Sequence, residues 1–269
     1  GAKEIYRFID FDPTGEVPTT YQAPNGPPGS MYDASAYQLA DRNTFYWGKR
    51  QSALLSTYTL SNLTTNDFNY ARIRHWLYDS YDNSAIDTLS SERLPYSSAG
   101  VVGQTTWYDY AGKPAQSPQN FGTQKVPSTI ARVMPDGTTW YLTRVLNSLG
   151  NPTSSTESWS EGGVTKTRSY SYTYDAATGR DLVSVTGPDS TGGATRLLLY
   201  NYYNSYHQIT SQQVYINAST HYDTVTTYDN TTHRVSSVTD PKGVTTTFSY
   251  TFYPLNFYTL TKTRSPASV

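Results

Sequence analysis

The sequence predicts an all-β protein, built of tandem antiparallel β-hairpins that join into one continuous curved sheet. Composition is the first observation, because the 269 residues include 26 Tyr but only 8 Phe and 2 Met. Rings and β-branched side chains suit a half-buried pleated surface, where the ring packs across strands and a hydroxyl reaches water. Segments of alternating polarity and an internal repeat are the second and third observations.

The alternation is clearest before residue 174. Tyr170, Tyr172 and Tyr174 alternate with Ser and Thr, so three rings are expected on one face of a strand. Residues 248–252 (Phe-Ser-Tyr-Thr-Phe) repeat the pattern. Turn signals rich in Gly and Pro separate such segments. They are Pro135-Asp136-Gly137, Glu161-Gly162-Gly163, Gly187-Pro188-Asp189, Gly192-Gly193 and Asp240-Pro241-Lys242-Gly243.

Two stretches of the chain are copies of each other. Residues 174–200 are YDAATGRDLVSVTGPDSTGGATRLLLY, and residues 228–250 are YDNTTHRVSSVTDPKGVTTTFSY. Each copy opens on Tyr-Asp and has Arg180 or Arg234 just before an alternating segment. Ser-Val-Thr, a turn and a second alternating segment follow. Each copy therefore predicts one β-hairpin.

Weaker copies extend the array in both directions. They start at Leu146, Tyr203 and Tyr108, with further candidates at Tyr81, Tyr32 and Phe11. We expect one continuous repeat domain with two regions, because the starts are evenly spaced only from residue 146 onward. Residues 1–145 form a degenerate region with long loops, at 13–30 and 111–128, and residues 146–269 form a regular array. A short helix is one of three alternatives for residues 49–56, beside strand and loop.

The Tyr-Asp-x-x-(x)-Gly-Arg motif has a physical interpretation. Its Asp can accept hydrogen bonds from backbone N–H groups two residues on, and Gly150 or Gly179 can adopt the left-handed conformation that closes this Asx turn. The Tyr hydroxyl is expected to be paired, and the Arg to bond the Asp or stack on a Tyr. The expected motif residues are Tyr108, Asp109, Gly112, Gly150, Tyr174, Asp175, Gly179, Arg180, Tyr203, Tyr228, Asp229, Arg234 and Gly243.

Charge and composition exclude several classes of protein. The net charge is −1, and the 20 Lys and Arg residues form no basic stripe, so no nucleic-acid partner is expected. No apolar run approaches the roughly 18–20 residues that span a bilayer. The absence of Cys excludes disulfides and thiolate metal sites.

No pattern for catalysis or for a metal or cofactor stands out. The four His residues fit no metal-binding spacing, and no Gly-x-Ser-x-Gly elbow is present. The segment from Asp10 to Glu16 fails the calcium-loop spacing, because Thr14 stands at the third ligand position. We therefore expect no enzyme, no cofactor and no metal. A hydrolase with a site in the irregular N-terminal third is the weakest of three hypotheses.

The paired units resemble the tyrosine–aspartate (YD) or Rhs repeat family, which includes Rhs polymorphic toxins, shell subunits of insecticidal toxin complexes and teneurins. The resemblance is most specific over 146–250. It implies a strip of hairpins that spirals into a hollow shell, which in toxin members encloses a C-terminal effector. The chain departs from toxin members, because Asp240-Pro241-Lys242-Gly243 looks like a repeat turn rather than a self-cleavage segment, and no effector is expected after it.

The leading hypothesis is a non-catalytic structural scaffold, a shell fragment of a secreted or cell-surface bacterial protein. Its expected partners are further repeats of the parent protein, an encapsulated effector, and other copies through open sheet edges. The alternative is an extracellular module that binds carbohydrate or protein through exposed Tyr and Trp. The Trp candidates, which are otherwise core residues, are Trp47, Trp76, Trp107, Trp140 and Trp159.

Overall fold

The computed structural model describes residues 3–9, 41–59, 62–79, 81, 84–98, 100–114, 119–134, 136–188, 195–253 and 257–265. These residues form sixteen strands and two short helices. The helices are α1 (Lys49–Ser52) and α2 (Thr65–Asn69). The strands are β1 (Ile5–Ile9), β2 (Asn43–Trp47), β3 (Arg72–Asp79), β4 (Ser84–Arg93), β5 (Thr105–Asp109), β6 (Thr129–Val133), β7 (Thr139–Leu146), β8 (Pro152–Glu161), β9 (Val164–Tyr174), β10 (Leu182–Gly187), β11 (Arg196–Tyr203), β12 (Ile209–Tyr215), β13 (His221–Tyr228), β14 (Val235–Thr239), β15 (Thr245–Tyr253) and β16 (Phe257–Arg264).

The strands form one sheet, and their order in the sheet is their order in the sequence. Strands that follow one another pair antiparallel, as in β5 and β6, where Trp107 lies opposite Ala131. Such a sheet needs only hairpin-type connections, whereas parallel strands would need long crossovers. The prediction of an all-β fold made of successive antiparallel hairpins is confirmed.

The chain divides into two compact units. The N-terminal unit comprises Gly1–Val145 and Thr156–Thr167, and the C-terminal unit comprises Leu146–Ser155 and Arg168–Val269. The candidate repeat starts at Phe11 and Tyr32, the calcium-like segment and the loop at 13–30 lie outside the described residues, as do Asp189 and Gly192-Gly193. The described part of 111–128 contains no strand, as predicted.

The N-terminal unit has a hydrophobic core. Strand β2 alternates buried and half-buried residues, and it points Phe45 and Trp47 into one cluster with Phe68. The rings of Phe45 and Phe68 meet edge to face, with centroids 5.0 Å apart. A smaller cluster forms where Trp107 packs on Ala131. Burial of these rings supplies the main stabilising free energy of the unit.

Both helices belong to this unit. Helix α1 ends at Ser52, so the helical alternative for 49–56 is wrong for its last four residues. Helix α2 was not predicted, although Thr64 and Asp67 have the spacing of a capping box. The Thr64 N–H and hydroxyl each donate to the Asp67 carboxylate at 2.7 Å. The Trp47 indole N–H donates to the Asp67 carbonyl oxygen at 2.8 Å and fixes α2 to the core.

The C-terminal unit is constructed differently. Among its described residues, no large hydrophobic side chain is fully buried, and the buried side chains are those of Ser155, Ser184 and Asn201. In β9 the three tyrosines at 170, 172 and 174 are half-buried and alternate with exposed Ser and Thr, as predicted. The unit therefore relies on half-covered rings and on hydrogen bonds.

Candidate functional site

A tyrosine hydroxyl ties together the two strands of each of three hairpins in the C-terminal unit. The donor is the last residue of the second strand, and the acceptor is the carbonyl oxygen of the first residue of the first strand. The hydroxyls of Tyr174, Tyr203 and Tyr228 donate to the carbonyls of Pro152, Leu182 and Ile209 at 3.0, 2.9 and 2.8 Å, respectively. We call this contact the tyrosine clasp. Burial raises the pKa of each of the three phenols, so they remain donors at neutral pH.

The buried polar side chains beside the clasps are paired. The Asn201 amide donates to the Leu182 carbonyl oxygen at 2.8 Å, and its own oxygen accepts from Gln212 at 3.1 Å. The hydroxyls of Ser155 and Tyr172 lie 3.0 Å apart. Paired polar groups can be buried without a large penalty, whereas unpaired ones cannot. The buried Ser155 and Asn201 side chains thus belong to a hydrogen-bond network beside the clasps.

The Tyr-Asp pairs form Asx turns, as the sequence predicts. The Asp175 carboxylate accepts from the Thr178 N–H at 2.9 Å and from its hydroxyl at 3.1 Å. The Asp229 carboxylate accepts from the Thr232 N–H at 2.7 Å and from its hydroxyl at 2.8 Å. Hydrogen bonds from the Thr backbone and side chain, in that order, lower the pKa of both Asp carboxyls. The ionised form is therefore the one that holds the turn.

We call the turns of the C-terminal unit that join one hairpin to the next the connecting turns. Each of them contains a residue with positive φ. Gly150 and Gly179 have φ of 83° and 65°, as predicted for glycines in the left-handed region. His207 and His233 occupy the equivalent positions, with φ of 61° and 55°. The sequence analysis missed the conformation of these two histidines. The available signal was their place in the repeat, where the neighbouring copies have Gly.

The connecting turns are of two types that alternate along the chain. In a short turn, Asn147 or Asn204 lies three residues before the residue with positive φ. In a long turn, Asp175 or Asp229 lies four residues before it. The short turns are 57 residues apart (147 to 204), and the long turns are 54 apart (175 to 229). The structural repeat is therefore two hairpins, although the sequence repeat is one.

Successive connecting turns are hydrogen-bonded to one another. The last residue of each short turn donates its side-chain amide to the residue with positive φ in the next long turn. Asn151 donates to the Gly179 carbonyl oxygen at 3.2 Å, and Gln208 donates to that of His233 at 2.6 Å. Between these two pairs, His207 Nδ1 lies 2.5 Å from an Asp181 carboxylate oxygen. We call the four turns, residues 147–151, 175–181, 204–208 and 229–234, the turn ladder.

The Arg residues of the motif lie in these turns, whereas its last Gly lies in a different turn. Arg234 stacks over the Tyr250 ring, with its guanidinium carbon 5.3 Å from the centroid. Stacking on a Tyr is one of the two alternatives that the sequence predicts for this Arg. Arg180 is exposed, and its N–H donates to the Thr178 hydroxyl at 3.3 Å. Gly243 closes the turn between β14 and β15 with φ of 77°. The Asp240 carboxylate accepts the backbone N–H of Lys242 in that turn.

The motif residues of the N-terminal unit form a different arrangement. Asp109 ends β5 and pairs with Lys113, with the two charged atoms 3.4 Å apart. Gly112 has φ of 74°, and a Cβ there would lie 2.6 Å from the Thr123 side chain. Burial raises the pKa of the Tyr108 phenol, and the neighbouring Glu92 adds to this effect. These residues close a loop, but they do not form the Asx turn of the later repeats.

The tryptophans divide by burial. Trp47 and Trp107 are core residues of the N-terminal unit, and Trp76, Trp140 and Trp159 are half-buried.

Among the described residues, no group of three or more His, Asp or Glu is placed to hold a metal ion. No helix in the described ranges is long and apolar enough to cross a membrane.

Comparison with known proteins gives matches only among solved structures. No family model matches the chain. No curated protein matches it either. The crystal structure of TcdB2-TccC3-Cdc42 is 10% identical, over 78% of this chain and 15% of that chain, with a TM-score of 0.36. The crystal structure of TcdB2-TccC3 without its hypervariable C-terminal region is 12% identical, over 81% of this chain and 13% of that one, with a TM-score of 0.25. With both TM-scores below 0.5, the likeness establishes no function for this chain.

Proposed function

We propose that the chain is a non-catalytic structural scaffold, a segment of a YD- or Rhs-type repeat shell from a secreted or cell-surface bacterial protein. The turn ladder carries this proposal. Side chains of the ladder form hydrogen bonds between successive turns, such as that from Gln208 to His233. An arrangement that repeats along the sheet and links each hairpin to the next suits a structural role.

The energetics of a single hairpin support a role in a larger array. An isolated two-stranded hairpin is marginally stable in water, and repeat proteins gain stability from contacts between neighbouring repeats. In the C-terminal unit, a tyrosine clasp closes each of three hairpins internally, and the turn ladder joins hairpins to one another. The stability of each hairpin therefore depends on its neighbours.

The proposed partners follow from the same construction. Strands β1 and β16 are the two ends of the sheet order. An end strand offers unpaired backbone groups to further repeats of a parent protein or to another copy of the chain. Enclosure of an effector is proposed only as a property of a longer parent protein.

Removal of the last long turn and of strands β14–β16 tests the scaffold proposal. A chain that stops at Tyr228 keeps the clasp to Ile209 but should lose hydrogen-exchange protection in β13, because this strand loses its neighbour β14, and to a smaller extent in β12. The β8–β9 hairpin, several strands away, should keep its protection. A shortened chain whose remaining strands all unfold together, with unchanged stability, would contradict the proposal.

A second candidate function, a binding surface for glycan or protein, is favoured by exposed rings. Tyr202, Tyr206 and Tyr222 are exposed in the C-terminal unit. Exposed aromatic side chains are typical of binding surfaces. A glycan array with the intact chain tests this candidate, and a hit that is lost in the Tyr222→Ala variant would support it. An array without any hit would remove the glycan version.

A further inference from the structure

Two concavities lie side by side in the N-terminal unit, where β2 and β4 end and β3 begins. The first, the aromatic–cationic pocket, measures about 380 Å³ and is lined by Tyr46, Arg50, Tyr70, Arg72 and Tyr96. The second, the apolar pocket, measures about 790 Å³ and is lined by Val101, Val102, Trp107, Val133 and Met134. Leu94, Pro95 and Ser97 line both, so one short segment separates them.

The apolar pocket has exposed aliphatic side chains on its wall. Val101 and Val102 are 52% and 63% exposed, and both line the cavity. The loop that carries them is fixed at its base, because the Leu94 N–H donates to the Gln104 carbonyl oxygen at 2.9 Å. Gly103 lets the two chain segments approach, since a Cβ there would lie 1.7 Å from the Leu94 oxygen. A fixed concavity with exposed apolar walls is typical of a ligand site.

The aromatic–cationic pocket contains an arginine with incomplete pairing. Glu92 lies between two arginines, and its carboxylate is 2.8 Å from Arg74 Nε but 3.8 Å from Arg72 Nε. The Arg72 Nε is buried and has no hydrogen-bond partner among the described residues. A buried donor without an acceptor costs free energy, and a carboxylate would satisfy it with a strong, charge-assisted bond.

The other polar groups of this pocket also suit an anion. Arg50 lies on α1 and is exposed, so it adds a second positive charge at the pocket wall. Partial desolvation, and next the Glu4 carboxylate, raise the pKa of the Tyr46 phenol, which therefore stays a neutral hydrogen-bond donor. The pocket thus combines two guanidinium groups with phenols, of which that of Tyr46 is hydrogen-bonded to Tyr6, and Glu4 and Glu92 are the acidic groups beside it.

We propose that the paired pockets bind a long-chain fatty acid. The carboxylate lies beside Arg72 and Tyr46 in the aromatic–cationic pocket, and the alkyl chain crosses the shared wall at Leu94 into the apolar pocket. The incompletely paired Arg72 would hold the anionic head, and the exposed aliphatic wall would hold the tail. Both concavities are partly open to solvent, and a free amphiphile could lie along them across the shared wall. This inference is independent of the scaffold proposal.

Quenching of tryptophan fluorescence by dibrominated stearic acid tests the inference, because Trp107 lines the apolar pocket. We expect saturable quenching in the intact chain. In the Trp107→Phe variant most of the saturable quenching should disappear, while calorimetry still detects binding. The Arg72→Gln variant should bind about tenfold more weakly, the loss expected when one charge-assisted bond is removed. The matched control is Arg132→Gln, which removes an exposed arginine that stacks on Trp140 and lines neither pocket.

A second variant keeps the test decisive if Arg72→Gln does not fold. Val102 is exposed on the loop, so Val102→Asp should fold normally and weaken binding by placing a charge against the alkyl chain. Stearic acid methyl ester should bind more weakly than the acid. The inference is overturned if quenching is not saturable, if Arg72→Gln folds and binds as the intact chain does, if Val102→Asp does so, or if the chain binds only vesicles of anionic phospholipid.

Discussion

The two units of this protein stabilise the same kind of antiparallel sheet by different means. The N-terminal unit buries rings completely, with Phe45 and Trp47 at 0% exposure. In the C-terminal unit the buried side chains, among the residues described, are those of Ser155, Ser184 and Asn201. One unit therefore depends on a few large apolar contacts, and the other on many hydrogen bonds that recur from hairpin to hairpin.

This difference determines how each unit should respond to substitution. Loss of one buried ring leaves a cavity that its surroundings cannot fill, so a single change in the N-terminal unit has a large effect. Loss of one hydrogen bond in the C-terminal unit removes a small contribution, because a typical bond contributes about 1 kcal/mol net. The predictions that follow run from the largest expected effect to the smallest.

The largest effect is expected at Phe45. Phe45→Ala should lower the free energy of unfolding of the N-terminal unit by about 3–5 kcal/mol, as for other buried Phe residues. Urea titration followed by tryptophan fluorescence measures this change. The control is Phe8→Ala, at a ring that is 55% exposed, and it should cost far less. Equal losses in the two variants would show that the buried cluster is not the main source of stability.

A smaller effect is expected at Gly179 in the turn ladder. Its φ of 65° is unfavourable for residues with a Cβ, so Gly179→Ala should cost about 1–2 kcal/mol in the C-terminal unit. Crowding is not the cause, because the nearest atom to an added Cβ is 3.6 Å away. Thermal unfolding measures the loss, with Ala176→Ser at an exposed position of the same turn as the control. A Gly179→Ala variant as stable as this control would contradict the left-handed turn.

The tyrosine clasps should give still smaller effects, and unequal ones. Tyr228→Phe removes the hydroxyl bond to the Ile209 carbonyl and should cost about 1 kcal/mol. Tyr203→Phe should cost less, because the Asn201 amide still donates to the same Leu182 carbonyl. Tyr222→Phe, at an exposed ring, is the control in chemical denaturation. A clasp variant no less stable than this control would argue against the clasp as a stabilising contact.

The smallest effect is expected from the charges of the Asx turns. The pKa values of Asp175 and Asp229 are lowered by hydrogen bonds that exist only in the folded chain. Their contribution to stability is therefore complete above the unfolded pKa, about 4, and is lost as pH falls through the lower folded pKa. Asp229→Asn should be less stable than the natural chain at pH 7, and the difference should shrink as pH falls below the unfolded pKa. A difference that persists in acid would rule out the carboxylate charge as its source.

Acid should weaken the N-terminal unit as well, through Asp67. Burial would raise the pKa of this carboxyl, but hydrogen bonds from Thr64 and Ser56 outweigh it and lower the pKa. The sign of the pH dependence is therefore the same in the two units. Acid alone does not distinguish them, so the Asp229→Asn comparison must be followed with probes in the C-terminal unit.

Features set by local chemistry could be predicted from the sequence. The tyrosines of β9 face one way because a strand alternates its side chains, and Asp175 forms its turn through hydrogen bonds from residues close in sequence. Gly150 and Gly179 adopt positive φ because of what glycine permits. None of these features requires knowledge of a distant partner.

Features that depend on contacts across the chain could not be predicted. The clasp joins Tyr228 to Ile209, and the turn ladder joins Gln208 to His233, 25 residues away. The alternation of short and long turns appears only when these pairs are compared in space. Cluster formation by Phe45 and Phe68 is also a tertiary event, although the Thr64–Asp67 spacing would have predicted the α2 cap.

Native-state hydrogen exchange of the Gln208→Ala variant tests the coupling between neighbouring hairpins most directly. Loss of the bond to His233 should speed exchange at the turn 229–234 and in β14, and leave β8 and β9 unchanged. Gln213→Ala is the control, since its side chain accepts from Tyr215 and joins no two turns. If exchange rises uniformly through the C-terminal unit, or does not change at all, the hairpins are not coupled as neighbours and the turn ladder does not stabilise them.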